Sequence, residues 1–216
     1  MQYKRIVALL SALSITYGGL EARCEELAIT DSRTCKVVEL SSLEAKRHQL
    51  WADKVIRWSK AYQDYSIVVN KLLRTLDLYL KGSLVHSFAV DLGFNPLGDK
   101  LYEGDGRTPE GIYKVVVRKS EDSAKYPTKY HRALLLDYPN LNDTLEFSIA
   151  QRKGIIPVDV TGPGGHIEIH GDGLGEKGRD WTEGCIALTN GDMDQLFYRI
   201  REGIPIAIVK YYSRHK

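Results

Sequence analysis

A chain of 216 residues with 43% hydrophobic residues, 27% charged residues and seven prolines can bury a core of its own, which excludes a wholly disordered protein and fits one domain with an accessory segment. Thirty Lys plus Arg against 28 Asp plus Glu leave a formal net charge of +2, too weak a field to grip a phosphate backbone, so nucleic acid is not an expected partner. The aromatic residues include thirteen Tyr and only four Phe, a bias towards rings with a polar tip that suit half-wet grooves.

Lys4 and Arg5 precede an uncharged apolar run from Ile6 to Tyr17, the pattern of a secretory signal. A run of about a dozen residues is too short to cross a hydrocarbon core of roughly 30 Å, so a membrane anchor is the weaker reading. Cleavage is expected after Ala22, and Glu21 and Arg23 argue against a lipid on Cys24. Export would place the three cysteines in an oxidising compartment, where Cys24 and Cys35 can pair across a short loop and Cys185 is left over. Such a bridge would contribute about 2–3 kcal/mol by restricting the unfolded chain. Two unpaired or partner-linked thiols are the alternative, because sequence does not show proximity.

From Leu40 to Tyr62, Trp51, Val55, Trp58 and Tyr62 recur at helical spacing among basic residues, which predicts an amphipathic helix capped by Ser41 or Ser42. Beyond Ser66 the period becomes two: Leu76, Leu78 and Leu80, then Lys81-Gly82-Ser83, then Phe88, Val90 and Leu92, a hairpin with a tight turn. Residues 93–111 hold five glycines and two prolines, loop chemistry at a length associated with function. Strands are predicted at Ile112–Arg118 and Ala133–Leu136, and a short helix at Leu141, Leu145 and Ile149 that Asn140 precedes and Gly154 ends. Ile155–Val160 reads as a strand, 161–165 as a turn, and His166–His170 as a strand with Ile167 and Ile169 on one face and His166, Glu168 and His170 on the other. A Gly-punctuated loop runs to Gly184, Cys185–Leu188 forms a short strand, Asn190 caps a helix through Arg201 with Met193, Leu196, Phe197 and Ile200 inward, and Ile204–Lys210 closes the sheet. The fold class is mostly β (α+β), with a few short helices and an N-terminal amphipathic helix.

The tract HIEIHGDGLGEKGRDWTEGCIAL holds the elements of thiol acyl transfer. A histidine that can take the thiol proton ends one strand at His170, and Cys185 begins another. Gly184 allows a sharp turn that brings the Gly184 and Cys185 amides towards one oxygen. An adjacent histidine is expected to pull the thiol pKa well below its free value and make thiolate at neutral pH. Alone, one His and one Cys fix no function, since a buried Cys is often inert packing.

The same tract resembles the signature of the L,D-transpeptidase catalytic domain: His170-Gly171, a variable loop, then Thr182-Glu183-Gly184-Cys185-Ile186. The stretch GDGRTPEGIY at 104–113 and the opening hairpin tract from Ser66 are similar to that family too, so the resemblance covers about residues 66 to 210. It implies a β-sandwich and an enzyme that attacks the bond after the third residue of a peptidoglycan stem peptide through a thioester. It also implies Cys185 as nucleophile, His170 as general base, the Gly171 carbonyl as the group orienting His170, and the Gly184 and Cys185 amides as the oxyanion hole. Substrate binding is expected of His166, Asp172, Trp181 and Thr182, although the family assigns no role to His166 or Asp172 and a satisfied structural histidine is the alternative reading of His166. Ala187 stands where many members carry Arg, and Glu183 where many carry His or Asn, which points to a branch with different substrate preference. The division is then a signal peptide at 1–22, a segment with the amphipathic helix at 23–65 and a catalytic domain at 66–211.

No metal and no cofactor are called for. A zinc hydrolase using His166 and His170, with Glu168 between them and Asp172 or Cys185 near, is a rival, but strand alternation explains the spacing equally well. A wall-binding module stacking sugars on Tyr62, Tyr65, Tyr79 and Trp181 is another. An amine acceptor for the thioester gives transpeptidation, with peptidoglycan stem peptides and an envelope protein as partners; water gives an L,D-carboxypeptidase or L,D-endopeptidase. The expected compartment is the periplasm or cell envelope.

Overall fold

The computed structural model describes residues 32–175 and 179–214, the side chains of 32–41 excepted. The signal sequence, its cleavage site and the pairing of Cys24 with Cys35 lie outside the described residues. The chain divides into two units, 1–43 and 44–216, and the second holds the sheet and the site. In chain order the elements are α1 (Ser32–Tyr62), β1 (Tyr65–Asn70), β2 (Thr75–Leu80), β3 (Ser83–Ala89), β4 (Gly111–Ser120), β5 (Arg132–Leu136), α2 (Leu141–Arg152), β6 (Glu168–His170), β7 (Ile186–Ala187), α3 (Asn190–Phe197) and β8 (Pro205–Val209).

The alternating Leu76 and Leu78 build β2, and Lys81 (φ 55°) and Gly82 (φ 84°) both take the left-handed conformation that a two-residue hairpin turn requires before β3. The eight strands form one mixed sheet in the order β3-β2-β1-β8-β4-β5-β6-β7. β8 lies in its middle, parallel to β1 and antiparallel to β4. β4 is long enough to pair with β8 at its start and with β5 beyond a bulge between Val115 and Val117. A bulge increases local twist, and here the sheet turns over on itself. Ile67, Leu78 and Ile206 from one limb therefore share a core with Leu134, Ile169 and Ile186 from the other, a mostly β sandwich made from a single curled sheet.

On the outer face, Ala52 and Val55 of α1 pack with Val68, Tyr79, Ala207 and Tyr212. Trp51 and Trp58 are half-buried, whereas Tyr62 is exposed and stacks on Trp58 at 4.7 Å. The helix begins at Ser32, so Ser41 and Ser42 are interior positions and not its cap. Buried beside it, His48 lies 3.3 Å and the Lys71 ammonium 2.9 Å from the Glu110 carboxylate, and the same ammonium donates to the carbonyls of Gly98 and Thr108. Among the described residues no helix is long and apolar enough to cross a membrane.

α2 forms as predicted, with Asn140 and Asp143 in a reciprocal capping box. Its buried face is Asp143, Phe147 and Ala150, with Leu141, Leu145 and Ile149 exposed. Asp143 turns inward because it accepts a hydrogen bond from the buried Tyr113 hydroxyl at 2.8 Å. Ile155–Val160 is not a strand: Ile156 alone of its apolar residues is buried, and Pro157 has no N–H to give a ladder. The cap of α3 is Thr189, whose hydroxyl accepts the Asp192 N–H, while the Asn190 side chain accepts the Asp172 N–H instead.

Candidate active site

His170 ends β6 and Cys185 immediately precedes β7, its parallel neighbour, so the sheet brings together two residues fifteen positions apart. The limb of the connecting loop that returns to Cys185 is tied down strongly. Asp180 accepts from Arg74 at 2.7 Å and from the Leu92 N–H at 3.1 Å, and Phe94 and Thr182 exchange a backbone bond of 2.8 Å. The outgoing limb is held by buried Asp91, which accepts the Leu174 N–H at 2.6 Å. These ties fix the turn at Gly184, whose φ of 135° and approach to the Arg107 carbonyl, 2.6 Å from where a Cβ would lie, admit no other residue without a shift.

Thr182 is buried under this turn. Its hydroxyl accepts the Gly184 N–H at 3.2 Å and donates to the Cys185 carbonyl at 2.7 Å. The Gly184 amide expected to face an oxyanion is therefore engaged by Thr182. Thr182 and Trp181 line a groove of about 590 Å³ together with Cys185, His166, Tyr130 and Lys129. Asp172 is not among its lining residues: it is an exposed turn residue at φ 62°, and its carboxylate accepts the His131 N–H. His166 also departs from expectation, since its φ of 56° takes it out of the strand; it is exposed at the groove and its carbonyl faces the thiol.

The imidazole of His170 is fully buried. Nδ1 lies 2.6 Å from the Gly171 carbonyl, which accepts only from a protonated nitrogen, so Nε2 carries the lone pair. Nε2 has no hydrogen-bond partner. Tyr130 stacks on one face of the ring at 3.6 Å and 8°, and Trp181 meets it edge-on at 5.9 Å. The Cys185 thiol donates to the His166 carbonyl at 3.5 Å and receives the Glu168 N–H at 3.4 Å. The Glu168 carboxylate pairs with Lys119 at 2.6 Å.

Burial pushes the thiol up to about 11, against the opposing pull of the Glu168 N–H. Burial also holds His170 below its ordinary value, although the Gly171 carbonyl and Glu168 act the other way. The resting pair at neutral pH is thus a neutral thiol and a neutral imidazole, not the thiolate that the sequence leads one to expect. Sequence reasoning also missed Tyr130, for which the chain offers no local signal: it is one of two tyrosines between Tyr113 and Tyr138. The ligand atoms of His166, Glu168, His170 and Asp172 do not converge. Among the described residues the one group of three able to hold a metal is Glu44, His48 and Glu110, where Lys71 already supplies a positive charge.

Residues 64–208 match the family model of the YkuD, or L,D-transpeptidase catalytic, domain. Over 135 residues the chain is 30% identical to YafK of Escherichia coli (strain K12), an overlap of 61% of this chain and 45% of that protein. It is similar to the solved structures of the helical cell shape determining protein Pgp2 of Campylobacter jejuni (26% identity, 71% of this chain and 51% of that one, TM-score 0.49) and of Bdellovibrio bacteriovorus Bd1075 (25%, 70% and 49%, TM-score 0.48). The chain thus spans about half the length of these relatives. With the family's match running from the start of β1 to the end of β8 and enclosing the groove, the chain belongs to the L,D-transpeptidase catalytic domain family.

Proposed function

We propose that this chain is an exported L,D-transpeptidase that acts on peptidoglycan stem peptides in the bacterial envelope, with Cys185 as nucleophile and His170 as base. The observation that carries the reading is the state of His170: one nitrogen tied to the Gly171 carbonyl, the other an unengaged acceptor, on the strand beside the one that Cys185 precedes. Rotation of the Cys185 side chain away from the His166 carbonyl would turn the thiol towards Nε2. As sulfur attacks the carbonyl carbon of the third stem residue, the thiol proton passes to Nε2 and an S–C bond forms. The C–N bond to the fourth residue then breaks, and the proton on His170 goes to the leaving amine. An acceptor amine reverses the sequence: its proton is taken by His170, its nitrogen displaces sulfur, and the thiol is restored.

The Cys185 amide is the first donor for the oxyanion, and the Gly184 amide joins it only if the Thr182 hydroxyl yields its bond. Trp181, Thr182 and His166 line the walls against which the peptide would lie. An envelope protein bearing an amine is a second acceptor class for the same thioester. The test is product analysis of a tetrapeptide muropeptide incubated with and without a D-amino acid. Exchange of the terminal residue that depends on the added amine supports transpeptidation, and release of terminal D-Ala with no exchange assigns the chain to hydrolysis of the same bond.

A further inference from the structure

The His170 hydrogen bond to Gly171 and the Cβ–Cγ bond hold one edge of the imidazole, so contacts on its faces limit the rocking that would displace Nε2. Tyr130 supplies a face parallel to the imidazole within 8° at a centroid distance of 3.6 Å, whereas Trp181 offers only an edge at 5.9 Å. The backbone that carries Tyr130 is held in place. The next residue, His131, donates its N–H to Asp172 and places its ring 2.9 Å from Asp194, and Arg132 binds the same Asp194 at 2.5 Å as β5 begins.

On the reading of His170 as the base, we propose that Tyr130 is a positioning residue that fixes the plane of the imidazole and stabilises the imidazolium formed when it takes the thiol proton. A cation over a tyrosine face is attracted by the ring's electron density, most strongly where water is absent, and His170 is fully buried. The other charged groups acting on the imidazole are Glu168, which is paired with Lys119, and Asp172 and Lys129. Lys129 stands 5.1 Å from the Tyr130 ring and opposes the imidazolium charge, so the tyrosine face joins the Gly171 carbonyl as a neutral group that favours it.

The test compares the wild type with Tyr130→Phe, which keeps the face, and Tyr130→Leu, which keeps cover over His170 but loses the π system. Two readouts are taken on the full chain: kcat and KM on a tetrapeptide muropeptide across pH, and the midpoint of the His170 ring signals in an NMR titration. The expected result is a Phe variant within about twofold of wild type, and a Leu variant whose kcat falls about tenfold at little-changed KM while the His170 midpoint moves to lower pH. A Leu variant with wild-type kcat and midpoint would overturn the proposal. So would a Phe variant as impaired as Leu, which would assign the role to the hydroxyl. If the wild type itself turns over no stem peptide, the proposed function fails while the NMR midpoints still decide the role of Tyr130.

Discussion

A thiol held at about 11 and a histidine held below its ordinary value need each other only at the moment of attack. In a resting thiolate–imidazolium pair, the acid limb would report protonation of the thiolate itself. Here the group that must stay unprotonated is the imidazole, and burial lowers the pH at which it gains a proton. The acid limb of kcat/KM is therefore expected to fall below the ordinary histidine value of about 6.5. Alkylation of Cys185 by iodoacetamide should keep rising beyond pH 8.5 and level off only towards about 11. Alkylation that has already levelled off at pH 7 would contradict the neutral resting pair. That Cys185 and His170 come together on neighbouring strands was legible because Gly-Cys and His-Gly are local patterns. Their protonation states were not, since burial is set by segments such as 128–130 and 164–168 that meet the motif only in the fold.

Between β6 and β7 the decisive element is the turn 182–185. Thr182 closes it with one hydroxyl used as both donor and acceptor, so Thr182→Val keeps the shape while leaving the Gly184 N–H and the Cys185 carbonyl short of a partner. The expected cost is about 1–3 kcal/mol of stability in denaturant unfolding, with a loss of turnover. Unchanged stability and turnover would show that the turn holds itself. Elements were legible where the pattern is local: the β2–β3 hairpin announces itself by alternation and a Lys-Gly turn, and α2 by its cap and spacing. Which face of α2 is buried was not legible, because Asp143 is drawn inward by Tyr113, thirty residues away. The central place of β8 was hidden for the same reason, since its neighbours β1 and β4 come from distant parts of the chain.

Across the whole molecule, the buried Glu110 links α1, the β1–β2 turn and the loop that runs from 93 to 110. Burial alone would raise its carboxyl, but His48 and Lys71 together hold it down to about 2. Burial in turn lowers the proton affinity of Lys71, so the pair carries a desolvation cost and the Glu110 charge is what keeps the ammonium in place. A carboxylate depressed in the folded state contributes stability that is present above its unfolded value of about 4.5 and lost as pH falls towards 2. Glu110→Gln should thus be less stable than wild type at pH 6, with the gap closing by pH 2. A gap that is constant over that range would place the effect in packing and not in charge. On the proposed mechanism a stem peptide is transferred to the sulfur of Cys185. The most direct test of that transfer is the intact mass of the protein quenched in acid during turnover of a tetrapeptide muropeptide. Wild type should gain the mass of the muropeptide less its terminal residue, and that adduct should vanish on hydroxylamine treatment and in Cys185→Ala. An adduct that persists in Cys185→Ala, or turnover that continues there, would contradict the account.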